Sequence, residues 1–268
     1  MSRIGLLMPC RDAGPYLGEC LDSALAQLGP DDELVVQDGL SSDGSALTLD
    51  QAAERDPRVR VRHAGDRGQS DALNHALGRT TADLVGWLNA DDLLLPGALA
   101  AVRAAGSVFD RVPDLVVGPW RVIAADGSIL RDYPAARLRR DRLLLRGCYL
   151  FSGAVLIRRE LLVELGGFRS DLHYTMDFDL MLRLAGAAQS QLVVNTPLAA
   201  LRLHRASKSG GQTWRFAREA VGVRRRHIRG AGETAAAVVG TGLSVVSLAS
   251  FDLRFGSRYS RLRSRVRR

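Results

Sequence analysis

Two rhythms of apolar and polar residues alternate along the first hundred positions. RIGLLMP at residues 3–9 is a continuous apolar run, as a strand buried on both faces requires, and residues 15–28 follow with the spacing of an amphipathic helix. The unit then recurs. ELVVQ at 33–37 predicts a second strand ending at Asp38, and a loop rich in Gly, Ser and Asp (39–45) leads to a helix over 46–55. Residues 59–63 predict a third strand, 70–77 a helix with Ser70 as its cap, and 84–88 a fourth strand running into Asn89-Ala90-Asp91-Asp92. Such alternation predicts an α/β fold with a doubly wound, mostly parallel sheet.

Beyond residue 100 the rhythm is less regular. Residues 115–117 and 121–130 read as strands, the latter folded at the turn signal Asp126-Gly127, and 154–157 as another. Helices are expected over 159–165, stopped by Gly166-Gly167, over 177–184, and after Trp214 through Ile228. This half is expected to lie over one edge of the sheet. No internal repeat of fixed period appears. The expected organisation is a catalytic-type domain over 1–210, divided into halves 1–100 and 101–210, and a basic, partly apolar extension over 211–268.

Composition narrows the class. In 268 residues, 46% hydrophobic and 25% charged are ordinary for a globular protein and exclude a disordered, collagen-like or multi-span chain. The net charge of +8 hides two populations: Leu201 onward carries about +13, leaving residues 1–200 at about −5. Cys10, Cys20 and Cys148 form no CxxC pair, so a disulfide framework or structural zinc site is not expected and a reducing cytosol is the default. The apolar run before Pro9 is too short for a signal-peptide core, so the expected location is cytoplasmic.

Ligands of an open α/β sheet bind beyond the carboxyl ends of its strands. Asp38, Asp66, Asp91 and Asp92 all stand at such positions. A carboxylate just past a buried strand must be solvated, paired or bound to a cation, and oxygen ligands suit Mg²⁺ or Mn²⁺ shared with substrate phosphates. WLNADD at 87–92 therefore points to a metal-nucleotide site, with capping of a helix near Pro96 as the competing role for Asp92.

These segments together resemble those of a family 2 glycosyltransferase of the GT-A fold. The matching stretches are MPCRDAGPYLGECLDSALAQ (8–27), ELVVQDGLSSDGS (33–45), DRGQSDALNHALG (66–78), GWLNADDLLLPGAL (86–99), FSGAVLIRRELLVELGGF (151–168) and MDFDLMLRL (176–184). The resemblance implies a nucleotide-sugar donor held by Pro9, Arg11, Asp38, Asp66, Arg67, Asp71, Asn89 and Asp91, with Asp38 on the base ring. It implies a divalent metal (Mn²⁺ or Mg²⁺) on Asp91, with His204 as a further ligand, and Asp177 as general base of an inverting transfer to a glycan or lipid-linked hydroxyl. Asp179 is the rival for that base, and a helix-start role competes for Asp177 itself. The chain departs from the family pattern at Asn89, where the first acid of DxD is usual, at Asp12, where Asn is common, and at Met176, where Glu precedes the base.

Other classes fit less. No GxGxxG follows the first strand, against a nicotinamide-dependent oxidoreductase. The basic end alone would suit a non-catalytic nucleic-acid or membrane binder, but acidic strand ends repel nucleic-acid phosphate and no RNA- or DNA-binding signature accompanies them, so no nucleic acid is expected. The uncharged stretch 235–251 followed by Arg254, Arg258, Arg261, Arg263, Arg265, Arg267 and Arg268 predicts peripheral attachment to an anionic membrane surface through 211–268, on the inner face of the cytoplasmic membrane.

Overall fold

The computed structural model describes residues 2–107, 111–204 and 213–242. Strand β1 (Ile4–Cys10) is buried almost throughout, and its alternation sends Ile4, Leu6 and Met8 to one face of the sheet and Leu7 to the other. It pairs in parallel with β2 (Glu33–Asp38) on one side and with β4 (Leu84–Trp87) on the other, while β3 (Val59–His63) extends the sheet beyond β2. Helices α1 (Leu17–Leu25) and α2 (Ser45–Arg55) cross over on the face of Leu6, and α3 (Gln69–Leu77) on the face of Leu7. Gly68, with φ of 113°, precedes α3; the expected cap, Ser70, is instead buried in the first turn, its hydroxyl reaching the Leu172 carbonyl at 3.5 Å. Its side chain serves a tertiary contact, so it is not the cap.

The second half does not lie over one edge. After the two-residue strand β5 (Leu93–Leu94) and α4 (Ala98–Gly106), strand β6 (Leu115–Val117) joins the same sheet. Strands β7 (Trp120–Ala124) and β8 (Ile129–Tyr133) form the hairpin signalled at Asp126-Gly127, where Gly127 has φ of 83°. Helix α5 (Arg140–Arg146) leads to β9 (Val155–Arg158), which inserts antiparallel between β4 and β6. Helices α6 (Arg159–Glu164) and α7 (Met176–Ala187) follow, then β10 (Gln191–Val193) and β11 (Ala199–Leu203). The main sheet runs β10-β6-β9-β4-β1-β2-β3, and a smaller one β5-β11-β7-β8.

Helix α8 (Thr213–His227) precedes a further helical stretch over 231–242. Both fasten to the domain: Arg140 pairs with Glu233 at 2.7 Å, Arg224 donates to the Leu144 carbonyl at 3.1 Å, and Ala237 is buried. Residues 243–251 of the uncharged stretch, and the arginine run after them, lie outside the described residues. Among the described residues no helix is long and apolar enough to cross a membrane.

Two glycines should respond in opposite senses. A methyl group on Gly118 would sit 2.4 Å from Leu198 Cγ, whereas one on Gly106, at the end of α4, meets nothing within 4 Å. Gly118→Ala should cost about 1–3 kcal/mol by overpacking, and Gly106→Ala should be neutral or stabilise by up to about 1 kcal/mol. Thermal denaturation of the two variants checks the signs.

Candidate active site

The parallel register places Cys10 beside Asp38 and Asp38 beside His63, so the loops after β1, β2 and β3 meet at one end of the sheet. Here the backbone is crowded. A Cβ on Gly39 would stand 2.6 Å from an Asp66 oxygen and 3.5 Å from Arg11 Cδ, so any side chain there would displace the Asp66 carboxylate. Asp12 adopts a left-handed conformation (φ 49°), which Asp and Asn tolerate better than other side chains. It accepts from Ser42 N at 2.7 Å and donates its own N–H to Ser41 Oγ at 2.8 Å, tying the first loop to the second.

Asp38 is fully buried and engaged on both oxygens: Ser41 Oγ donates to Oδ1, and His63 Nδ1 lies 2.8 Å from Oδ2. His63 Nε2 lies 2.9 Å from Asp50, and the hydrogen bonds it donates to Asp38 and then Asp50 hold the imidazole above its ordinary pKa. Asp66 accepts from Gly68 N at 2.8 Å. Asp71, in the first turn of α3, is paired with Arg67 at 3.0 Å, and this hydrogen bond keeps its carboxyl below the usual range. The Arg67 side chain is 80% exposed at the rim.

At the end of β4 the acidic cluster divides into wiring and surface. The Asn89 carbonyl oxygen accepts from Trp87 Nε1 and Gln69 Nε2, each at 2.7 Å, and its amide donates to Asp92 Oδ2 at 2.7 Å. Asn89 is thus committed inward. Asp92 is not a helix cap, since α4 starts after Gly97; it is buried and accepts Arg202 N at 2.9 Å. Burial, reinforced by the charge of Asp91 beside it, pushes its pKa well above the carboxylate range. Asp91 instead remains one-third exposed, with Oδ2 at 2.8 Å from His204 Nε2. Tyr16 packs on the His204 ring at 4.7 Å. A carboxylate and an imidazole so placed have the chemistry to hold one divalent cation, if diphosphate oxygens and water complete the shell. Among the described residues no group of three or more His, Cys, Asp or Glu could hold a metal unaided.

Asp177 stands in the first turn of α7, after Thr175 as the preceding cap position, and its Oδ1 accepts from Phe178 N at 2.7 Å. Burial raises its pKa to about 6, and the thiol of Cys148 faces it. The rival, Asp179, is clamped between Arg183 Nε at 2.7 Å and His227 Nε2 at 2.9 Å. Burial opposes its ionisation, but the hydrogen bond from His227 and the charge of Arg183 outweigh it and hold the pKa low. The segment before α7 is stitched to α3 by Asn74, which bonds Phe168 O at 2.7 Å and Phe168 N at 2.8 Å. Residues given no role from the sequence complete the site: Gln69 and Trp87, which lie within the stretches 66–78 and 86–99, hold the 89–92 loop together with Arg202, and Cys148 adjoins Asp177. Of these only Arg202 carries a local signal, a charge at an inward position of an otherwise apolar strand.

The sequence model of glycosyl transferase family 2 matches residues 6–166. The O-antigen biosynthesis protein RfbC of Myxococcus xanthus is 34% identical over 198 residues, which are 73% of this chain and 15% of that protein, so the chain spans a small part of that relative. Among solved structures, S. aureus TarS 1-349 in complex with UDP-GlcNAc aligns with a TM-score of 0.69 at 16% identity, covering 90% of this chain and 71% of the other. The mannosyltransferase PcManGT from Pyrobaculum calidifontis, in complex with GDP-Man and Mn²⁺, aligns at 0.65 and 21% identity over 93% of this chain and 73% of the other. At such identities the likeness shows a common fold.

Restoring an acid at position 89 should not improve the site. Asn89→Asp removes the donor to Asp92 and sets two carboxylates at hydrogen-bond distance. They must share a proton, so the variant should lose about 1–3 kcal/mol of stability. The loss should grow as pH rises from 6 to 8 and the shared proton leaves. Thermal melts across that range check both magnitude and sign.

Proposed function

The chain belongs to glycosyl transferase family 2, and from that premise we propose that it is an inverting glycosyltransferase carrying a sugar from a nucleoside-diphosphate donor to a hydroxyl of a glycan or lipid-linked acceptor. The observation that carries this reading is the Asp91–His204 pair, at the end of β4 and in the same outlet of the sheet as the loops crowded by Arg11, Gly39 and Asp66. In this reading those loops form a slot for the nucleoside, with Pro9, Arg11 and Asp66 toward the base, Asp38 holding the loop from beneath through Ser41 and His63, and Arg67 at the rim over Asp71. A UDP-sugar is the favoured donor. The UDP-GlcNAc complex of TarS supports that choice, the GDP-Man and Mn²⁺ complex of PcManGT supports a divalent cation, and the name of RfbC supports an envelope polysaccharide as acceptor.

Asp91 and His204 would hold the cation. When bound, it offsets the negative charge that grows on the leaving diphosphate. Asn89 contributes indirectly, by fixing the loop through Trp87, Gln69 and Asp92. Asp177 takes the proton of the acceptor hydroxyl: it is half-buried, pairs with no cation among the described residues, and has a pKa near enough to neutrality to accept and release a proton. Asp179 is already paired with Arg183 and His227, which favours Asp177 for that role. One base acting opposite the leaving group gives inversion at C1.

Three measurements separate these roles. Calorimetry of UDP with and without Mn²⁺ should show that Asp91→Ala loses the metal-dependent part of affinity; an unchanged metal dependence would sink the assignment. Asp177→Asn should lower turnover by about 10²–10⁴-fold with donor affinity little altered, whereas a collapse of both would contradict a base. Because the base must be ionised, kcat should fall as pH drops through about 6 and level off above it.

The expected membrane contact is retained as part of this proposal. Val238 and Val239 are 68% and 53% exposed in the helical stretch 231–242, and Arg225, Arg226 and Arg229 are exposed nearby in sequence. Flotation should recover the full chain with anionic vesicles and not with neutral ones. Recovery in the soluble fraction with both would remove the membrane from the scheme.

A further inference from the structure

Glu219 lies on α8, outside the residues matched by the family. Its carboxylate accepts hydrogen bonds from three consecutive backbone amides, His173 N at 2.8 Å and Tyr174 N and Thr175 N at 2.7 Å each. Thr175 Oγ1 adds a fourth at 3.0 Å. Four donors nearly saturate a carboxylate, and hydrogen bonds to a charged acceptor belong to the strong class.

The place of these bonds matters more than their number. Thr175 is fully buried and immediately precedes α7, which has no side-chain cap of its own and carries Asp177 as its second residue. Other contacts already attach the C-terminal segment: His227 to Asp179, Arg224 to the Leu144 carbonyl, Arg140 to Glu233. Those join side chains or reach α5. Glu219 grips the backbone that leads into Asp177.

We propose that Glu219 is a positioning residue, which fixes the 173–175 backbone and thereby the direction in which Asp177 faces the acceptor hydroxyl. Residues 213–242 are then part of the catalytic unit and not an appendage to it. The inference rests on the reading of Asp177 as the base. A carboxylate reaching in from α8 supplies anchoring that α7 lacks at its own start, where Met176 stands. Displacing a catalytic group by about 1 Å is enough to cost about 100-fold in rate.

The test uses the full chain and follows released nucleoside diphosphate with the donor that supports turnover. Glu219→Ala should lower kcat by about 10- to 100-fold while the KM for donor stays within about twofold, since the donor slot lies on other loops. Glu219→Gln keeps one acceptor oxygen, so it should recover part of that loss. A kcat within about twofold of wild type in the alanine variant, or a KM for donor that rises in step with the fall in kcat, would overturn the proposal. If the alanine variant fails to fold, the glutamine variant decides: kcat lowered at least about threefold at constant KM supports positioning, and unchanged kcat overturns it. Asp177→Asn is measured in parallel. An inactive Asp177→Asn beside a fully active Glu219→Ala refutes the role of Glu219 alone, whereas an active Asp177→Asn refutes the base and the positioning role with it.

Discussion

A guanidinium taken out of water must be given partners on every side, and Arg202 meets that demand by joining the two sheets. It is 2% exposed on β11, and its Nε donates to the Asp91 carbonyl at 3.1 Å, one terminal nitrogen to the Ala125 carbonyl and the other to Glu19 at 2.6 Å. Its backbone N–H serves Asp92, and its plane lies over the ring of Tyr16 at 4.9 Å. Desolvating such a charge costs several kcal/mol unless all these contacts form together. The loop after β4 and the strand β11 are therefore fixed against each other. Asp91 meets His204 because His204 lies two residues beyond the arginine on the same run of chain.

The acids of the site sort by whether the fold has already used them. Asp38, Asp71, Asp92 and Asp179 are committed to His63, Arg67, Asn89 with the Arg202 backbone, and Arg183 with His227. Asp91 and Asp177 differ: one is left partly open beside an imidazole, and the other has no cationic partner among the described residues and is raised by burial. A rigid frame of satisfied carboxylates is what lets two others stay unpaired with arginine. In this frame Asn89 has a structural reason to be an amide, because it must accept from Trp87 and Gln69 on one side and donate to Asp92 on the other.

Much of this was legible in the amino-acid order. Strands 59–63 and 115–117 fall where the pattern placed them: LVV at 115–117 is a continuous apolar run, buried throughout, whereas VRVRH at 59–63 alternates Val and Arg, as a strand at the edge of the sheet can. The ends of β2 and β4 carry Asp38 and Asp91, as expected from the rule that ligand sites open at strand carboxyl ends. What the pattern could not convey is partnership. VLIR at 155–158 reads as a strand, but nothing in those four residues says that it enters antiparallel between β4 and β6. Ser70 has the chemistry of a cap and spends it on Leu172, 102 positions away. Glu219 meets its amides at separations of 44–46 residues, where a single glutamate on a basic helix leaves no local mark.

The insertion of β9 also sets an order of events for a chain leaving the ribosome. Until residue 155 has emerged, β4 has β1 on one side and a vacant row of backbone donors and acceptors on the other, with Leu84, Val85 and Trp87 destined for burial. An apolar open edge of that kind templates pairing with other chains. Strand β6 emerges earlier than β9, and if it docked directly on β4 it would close the gap that β9 must fill. The edge of β4 thus lacks its final neighbour from the synthesis of β4 until that of β9, about seventy residues that take several seconds to translate.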